Sequence, residues 1–118
     1  MQFKVLYGQN VLIIHKGVTK KLLTYNSQEA CADFFLSNAI EECISRDLLD
    51  GCYYSIVFEL SLTKKGKVKS IKYLNIMDPL VINEINRAVK KLTFVPLDIN
   101  NNPHKCKIRL RIIIDFVT

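Results

Sequence analysis

Glycine is scarce in this 118-residue chain: there are four, and no two are adjacent. A loop that cradles phosphate with backbone N–H groups needs several within a few residues, so that class of nucleotide site is excluded. Histidine is scarcer still, with only His15 and His104. The cysteines, Cys31, Cys43, Cys52 and Cys106, include no C-x-x-C pair. The closely spaced ligand pairs of a zinc site are therefore missing. No apolar run approaches the ~20 residues a membrane helix needs. The opening Met-Gln-Phe-Lys-Val lacks the long apolar stretch of a signal peptide. The chain as given thus reads as either cytoplasmic or a domain cut from a longer protein. Acidic residues are also in deficit, 11 against 17 Lys and Arg, for a formal net charge of +6. That balance permits nucleic acid, anionic membrane or acidic protein as a partner and selects none of them.

Catalytic arrangements are equally thin. His104 stands two residues from Cys106, on the same face of a strand, but no orienting acid accompanies them. Asp33, Asp47 and Asp50 show no arrangement suited to acid–base work. The expectation is a non-enzymatic protein without cofactor or metal. An even cysteine count allows disulfides in an oxidising compartment, yet nothing fixes a pairing, and free thiols are the preferred reading. Cys43 and Cys106 fall on apolar faces, as small core residues do.

What is present is periodicity. From Lys105 to Phe116 one parity is wholly apolar: Cys106, Ile108, Leu110, Ile112, Ile114, Phe116. The other begins Lys105, Lys107, Arg109, Arg111. Side chains alternate faces along a strand, so this is a long strand with one buried and one basic, wet face. A long terminal strand is often an edge, and an edge is either blunted or used to bind.

The remaining pattern completes an α+β domain. Phe3, Val5 and Tyr7 alternate, Gly8-Gln9-Asn10 offers a turn, and Val11–Ile14 is β-branched and apolar. His15-Lys16-Gly17 is a second turn signal before a weaker strand, Val18–Tyr25. Residues 28–49 read as helix, capped by Asn26-Ser27 with Glu29 in the first turn. Its stripe is Ala32, Phe35, Leu36, Ala39, Ile40, Cys43 and Ile44, with Ser37-Asn38 a place to break and Gly51 the stop. Tyr54, Ile56, Phe58, Leu60 and Leu62 make the buried parity of a strand, against polar Ser55, Glu59, Ser61 and Thr63. Gly66 marks the turn, and Val68, Ile71 and Tyr73 return with a phase slip that a β-bulge explains. Asp78-Pro79 opens a second helix with Val81, Ile85, Ala88, Val89 and Leu92 inward and Glu84 and Arg87 among the residues facing water. Phe94 and Phe116 are expected in the core. Thr93–Pro96 leaves that helix extended, and Asp98–Pro103 is a polar loop. Antiparallel strands should carry both helices on one face and expose the other.

From about Ser37 to Phe116 this ordered set resembles the C-terminal domain of the TonB family. The likeness is carried by the helix ending at Gly51, the strand Tyr54–Leu62 and the Gly66-Lys67-Val68 turn with its slipped return strand. Asp78-Pro79, Ala88-Val89-Lys90, Phe94-Val95-Pro96, Pro103 and Ile114-Asp115-Phe116 follow in order. The resemblance implies three antiparallel strands on two helices, in the periplasm or cell envelope, with a mechanical role in transport. It implies that an extended peptide of an outer-membrane receptor adds as a strand beside the last strand. Residues 1–27 have no counterpart and form an N-terminal β-hairpin extension to a 28–118 domain. The family's membrane helix and Pro-rich spacer are absent, and Asn75-Ile76-Met77 replaces small residues common there.

The candidate partner-binding residues are Lys105, Lys107, Ile108, Arg109, Leu110, Arg111 and Ile113. Backbone bonds would supply affinity and the cations would attract acidic side chains. The same cations suit an edge kept from aggregating. Two further uses stay open: a homodimer by strand pairing, and nucleic-acid binding with Tyr53 and Tyr73 stacking on bases.

Overall fold

A computed structural model describes residues 10–23 and 31–117. The fold is α+β, with two antiparallel three-stranded sheets among the described residues. Strands β1 (Asn10–His15) and β2 (Val18–Lys21) form a hairpin. Its two-residue turn, Lys16-Gly17, has positive φ at both positions, 51° and 76°. That combination matches the right-handed strand twist. The alternation at Phe3–Tyr7 and the cap at Asn26-Ser27 lie outside the described residues.

Helix α1 (Phe34–Cys43) starts from Asp33, whose carboxylate accepts the Leu36 N–H at 2.8 Å. The expected single helix over 28–49 breaks at Ile44-Ser45, not at Ser37-Asn38, and resumes as α2 (Arg46–Leu49). The cause is α3 (Pro79–Val89). Arg87 Nη2 donates to the Cys43 carbonyl at 2.8 Å, and Glu84 Oε1 accepts the Ser45 N–H at 2.9 Å. Both groups freed by the break thus find partners. Glu84, expected to face water, is therefore buried. Ser37 stays helical: its N–H donates to the Asp33 carbonyl at 3.0 Å, and its Oγ donates to the same oxygen at 2.6 Å. Asp78 caps α3 through the Leu80 N–H, and Pro79 occupies its first position, as the sequence indicated.

β3 (Tyr53–Leu62) is the centre of the second sheet, between β4 (Val68–Tyr73) and β6 (Cys106–Asp115). The phase slip is real: Ser61 opposes Ser70 but Leu62 opposes Val68, so Lys69 is the extra residue of a bulge. β5 (Thr93–Leu97), read from sequence only as an extended exit, is a strand pairing β1 from Asn10↔Leu97 to Ile14↔Thr93. Pro96 is tolerated because its nitrogen lies on the strand's outer edge, where no ladder bond is lost. Its carbonyl accepts the His104 N–H at 3.1 Å.

The even-numbered side chains of β3 and β6 meet α1 and α3 in one core. Ile56, Phe58 and Leu60 pack with Leu110, Ile112, Leu36, Ile40 and Ile85. Each such side chain contributes roughly 2 kcal/mol by leaving water. Val11, Ile13, Leu22 and Phe94 belong to the same cluster, so the hairpin and the 28–118 region share a core. Phe116 is buried with Arg46 over its ring at 5.0 Å. The outer face of the sheet is less open than alternation implies. Val57 and Glu59 have only 1% and 8% of their surface exposed.

Candidate functional site: two edges of one sheet

The outer edge of β6 is largely taken. Phe116 exchanges main-chain bonds with the Gly51-Cys52 end of β3, so even-numbered residues of β6 point their N–H and C=O at β3. Odd-numbered residues point theirs away. There α1 meets them. Asp33 N–H donates to the Arg111 carbonyl at 2.9 Å. Ser37 Oγ accepts the Ile113 N–H at 3.0 Å, and Glu41 Oε1 accepts that of Asp115 at 3.0 Å. A helix thus seals a strand edge with one main-chain and two side-chain groups spaced a turn apart. Asp33 also accepts the Leu23 N–H at 2.9 Å, tying the segment after β2 to the same point.

The seven sequence-predicted residues divide accordingly. Ile108 and Leu110 are buried in the core, and their main chain pairs with Leu60 and Phe58. They offer a partner neither side chain nor backbone. Arg109 Nη2 is bound to Glu59 Oε1 at 2.7 Å across the strand pair, half-buried. Arg111 and Ile113 are half-buried and contribute main chain to the α1 seal. Lys105 and Lys107 are exposed at the strand's start.

β4 contrasts with this. Val57 directs its N–H and C=O toward the β4 side, where the carbonyl accepts Leu74 N–H at 2.9 Å. Lys72 and Ser70, opposite Glu59 and Ser61, therefore face β3. Ile71 and Tyr73 aim their main-chain groups outward, and β4 has no second strand partner among the described residues. Asn75 ends the pairing: its Oδ1 accepts Val57 N–H and its Nδ2 donates to the Ser55 carbonyl, both at 2.9 Å. That side chain imitates one more residue of strand.

Beside the β4 edge runs a groove of about 150 Å³, walled by Val68, Ile71 and α3's Asn86 and Lys90. Tyr73, expected near the surface, turns to the helix side. Its hydroxyl donates to Asn86 Oδ1 at 2.7 Å, and burial drives its pKa strongly up. It is a strut between sheet and helix, unavailable for base stacking. Tyr53 is exposed. The border is uniformly cationic. Lys67, Lys69, Lys72, Lys90 and Lys91 are exposed, and residues 64–77 contain no acid.

No group of three or more metal-ligating side chains converges among the described residues. Cys31 is exposed, whereas Cys106 is buried and its thiol pKa is pushed up to about 11 by that burial. No helix among the described residues is long and apolar enough to cross a membrane. Known protein families, curated proteins and solved structures provide no match to this chain.

Proposed function

We propose that the protein is a non-catalytic binding module that takes an extended, acidic peptide as a fourth strand on the β4-β3-β6 sheet, along β4. The observation that carries this is the outward main chain of Ile71 and Tyr73 beside an open groove, on a sheet whose opposite edge is bonded to α1 and its cap from Arg111 to Asp115. Main-chain bonds supply affinity, and alternate side chains enter the groove against α3. The lysines along this border favour acidic partners and speed encounter. They also oppose pairing of two copies, since a second β4 would bring its own exposed Lys67, Lys69 and Lys72 up to the same lysines of the first.

The likeness of residues 37–116 to TonB C-terminal domains supports the same class of function on a different edge. On that likeness the partner is an extended segment of an outer-membrane receptor, and the setting is the cell envelope and transport.

The test is titration of the chain with extended acidic peptides, followed by backbone amide spectra. Ile71 and Tyr73 amides should shift and gain protection from exchange. A peptide N-methylated at alternate residues, facing β4, should lose binding by about tenfold or more for each bond removed. Shifts confined to 106–114 would return the site to β6. Binding that ignores N-methylation would sink strand addition. A steep salt slope on single-stranded oligonucleotides, without peptide binding, would favour a nucleic-acid module instead.

A further inference from the structure

At one end of the same sheet lies a cleft whose lining contains no carboxylate among the described residues. Its volume is about 430 Å³, and it adjoins a second hollow of about 380 Å³ that shares Leu62, Lys69, His104 and Lys105. Leu62 and Cys106, a cross-strand pair whose side chains belong to the core, also line it. Lys64 and Lys69 stand on one side and Lys105 on the other, all exposed. None of these three makes an ion pair among the described residues. Ser61 and Ser70, paired across β3 and β4, add hydroxyl donors.

Both walls are pinned. Gly66 holds the β3–β4 turn against β5, so closely that an added Cβ would lie 2.0 Å from the Phe94 carbonyl oxygen. Within the turn, Thr63 N–H donates to the Lys67 carbonyl at 2.9 Å and Gly66 N–H to the Thr63 carbonyl at 2.8 Å. The opposite wall is set by Asp98. Its Oδ1 accepts Asn100 and Asn102 N–H at 2.8 and 2.9 Å, and Leu97 bridges to Pro103. Lys64 on the turn, Lys69 on the bulge of β4 and Lys105 before β6 thus border adjoining hollows whose linings hold no carboxylate, a setting that favours an anion.

The geometry points to a binding site for a phosphate monoester where the two hollows meet, at Lys69 and Lys105, with Lys64 bordering one hollow and Ser61 and Ser70 the other. Lysine serves phosphate as a point charge, without the planar fork that favours carboxylate. The cleft accommodates the phosphate and a few further atoms. This site does not require strand addition: it uses none of the main chain of Ile71 and Tyr73, and shares only Lys69 and Ser70 with the β4 groove.

The experiment is titration of the full chain with ribose 5-phosphate and, separately, with capped phosphoserine, read by amide shifts. Saturable shifts at residues 61–70 and 103–107 are expected with at least one of them. The stronger ligand identifies the source as a small metabolite or a modified side chain. Lys64→Gln, Lys69→Gln and Lys105→Gln should each weaken binding roughly fivefold to tenfold. Lys20→Gln, on exposed β2, should change nothing. All four positions are exposed, so folding is preserved and circular dichroism checks it. Linear, unsaturated shifts spread over every lysine would overturn the site. So would equal binding by the three cleft variants. Binding of a single-stranded oligonucleotide with no monoester binding would overturn it in favour of a polymer surface.

Discussion

At β6 the outward main chain of Arg111, Ile113 and Asp115 is met by Asp33, Ser37 and Glu41, whereas at β4 the outward main chain of Ile71 and Tyr73 faces a groove. The two strands belong to one sheet and flank the same β3. Their side-chain patterns suggest the opposite assignment. β6 is long, regular and basic on one face, the pattern of an exposed border. β4 is short and bulged, a form that often blunts an edge. What separates them is the neighbouring helix. α1 turns a polar row toward β6, while beside α3 the outer side of β4 has no strand partner among the described residues. Edge status is thus a property of what packs alongside, and strand composition alone does not reveal it.

The largest expected effect concerns how β4 begins. Gly66 has φ +84° and lies against the Phe94 carbonyl, so Gly66→Ala combines an unfavourable backbone conformation with a collision against main chain. A loss of about 3 kcal/mol is expected, measured by chemical denaturation. If Gly66→Ala is neutral, the β3–β4 turn is not anchored on β5 and the β4 border is less fixed than described. Next comes Asp33→Ala, which removes the α1 cap and the bond from Leu23 N–H. It should cost roughly 2 kcal/mol and loosen the seal on β6, leaving β4 amides unchanged.

Much of the fold is legible in the chain. The Asp78-Pro79 start, the bulge after Gly66, the inward faces of both long helices and the core placement of Phe94 and Phe116 follow from local rules. What escaped depends on contacts across long sequence distances. Thr93–Leu97 looks like an exit segment until β1, some 80 residues earlier, pairs with it. Glu84 and Arg87 read as solvent residues because a charged pair at i,i+3 on a helix usually is one. Only the approach of the α1–α2 junction buries Glu84 and engages Arg87, which stays partly exposed. Asp33 was visible as a capping residue type, three before Leu36, but Asn26-Ser27 competed for the same role. Of the seven candidate residues, Lys105 and Lys107 stand exposed at the start of β6. Ile71, Asn75 and the α3 wall carry no local signal beyond the unusual Asn.

The pair that breaks the first helix also gives a pH signature. Arg87 donates to Glu84, and Ser45 N–H adds a second bond, so the Glu84 carboxyl is held below the usual carboxylate range. A carboxylate with a depressed folded pKa stabilises fully above its unfolded pKa, roughly 4.3, and that contribution is lost as pH falls through the folded value. Wild type should therefore exceed Glu84→Gln in stability at pH 7, with the gap closing below about pH 4. A gap independent of pH would mean that α3 is held by packing alone, and the groove wall beside β4 would not respond to acid.

The smallest effect is the most direct probe of the difference between the two borders. Ser37 Oγ is the acceptor for Ile113 N–H, so wild-type Ile113 should exchange slowly with solvent while Ile71 and Tyr73 exchange fast. Ser37→Ala leaves the helix intact but removes that acceptor, at a cost of about 1 kcal/mol. Exchange at Ile113 should rise by about fivefold with no change at Ile71. Adding the acidic peptide then separates two accounts of the sheet. If peptide still protects only Ile71 and Tyr73, the β4 groove, and not mere main-chain availability, selects the partner. If Ser37→Ala acquires new protection along 109–113, β6 has a latent capacity for strand addition that α1 restrains. Equal exchange of Ile113 in both proteins would show that the hydroxyl does not seal the edge, and the contrast between the borders would lose its footing.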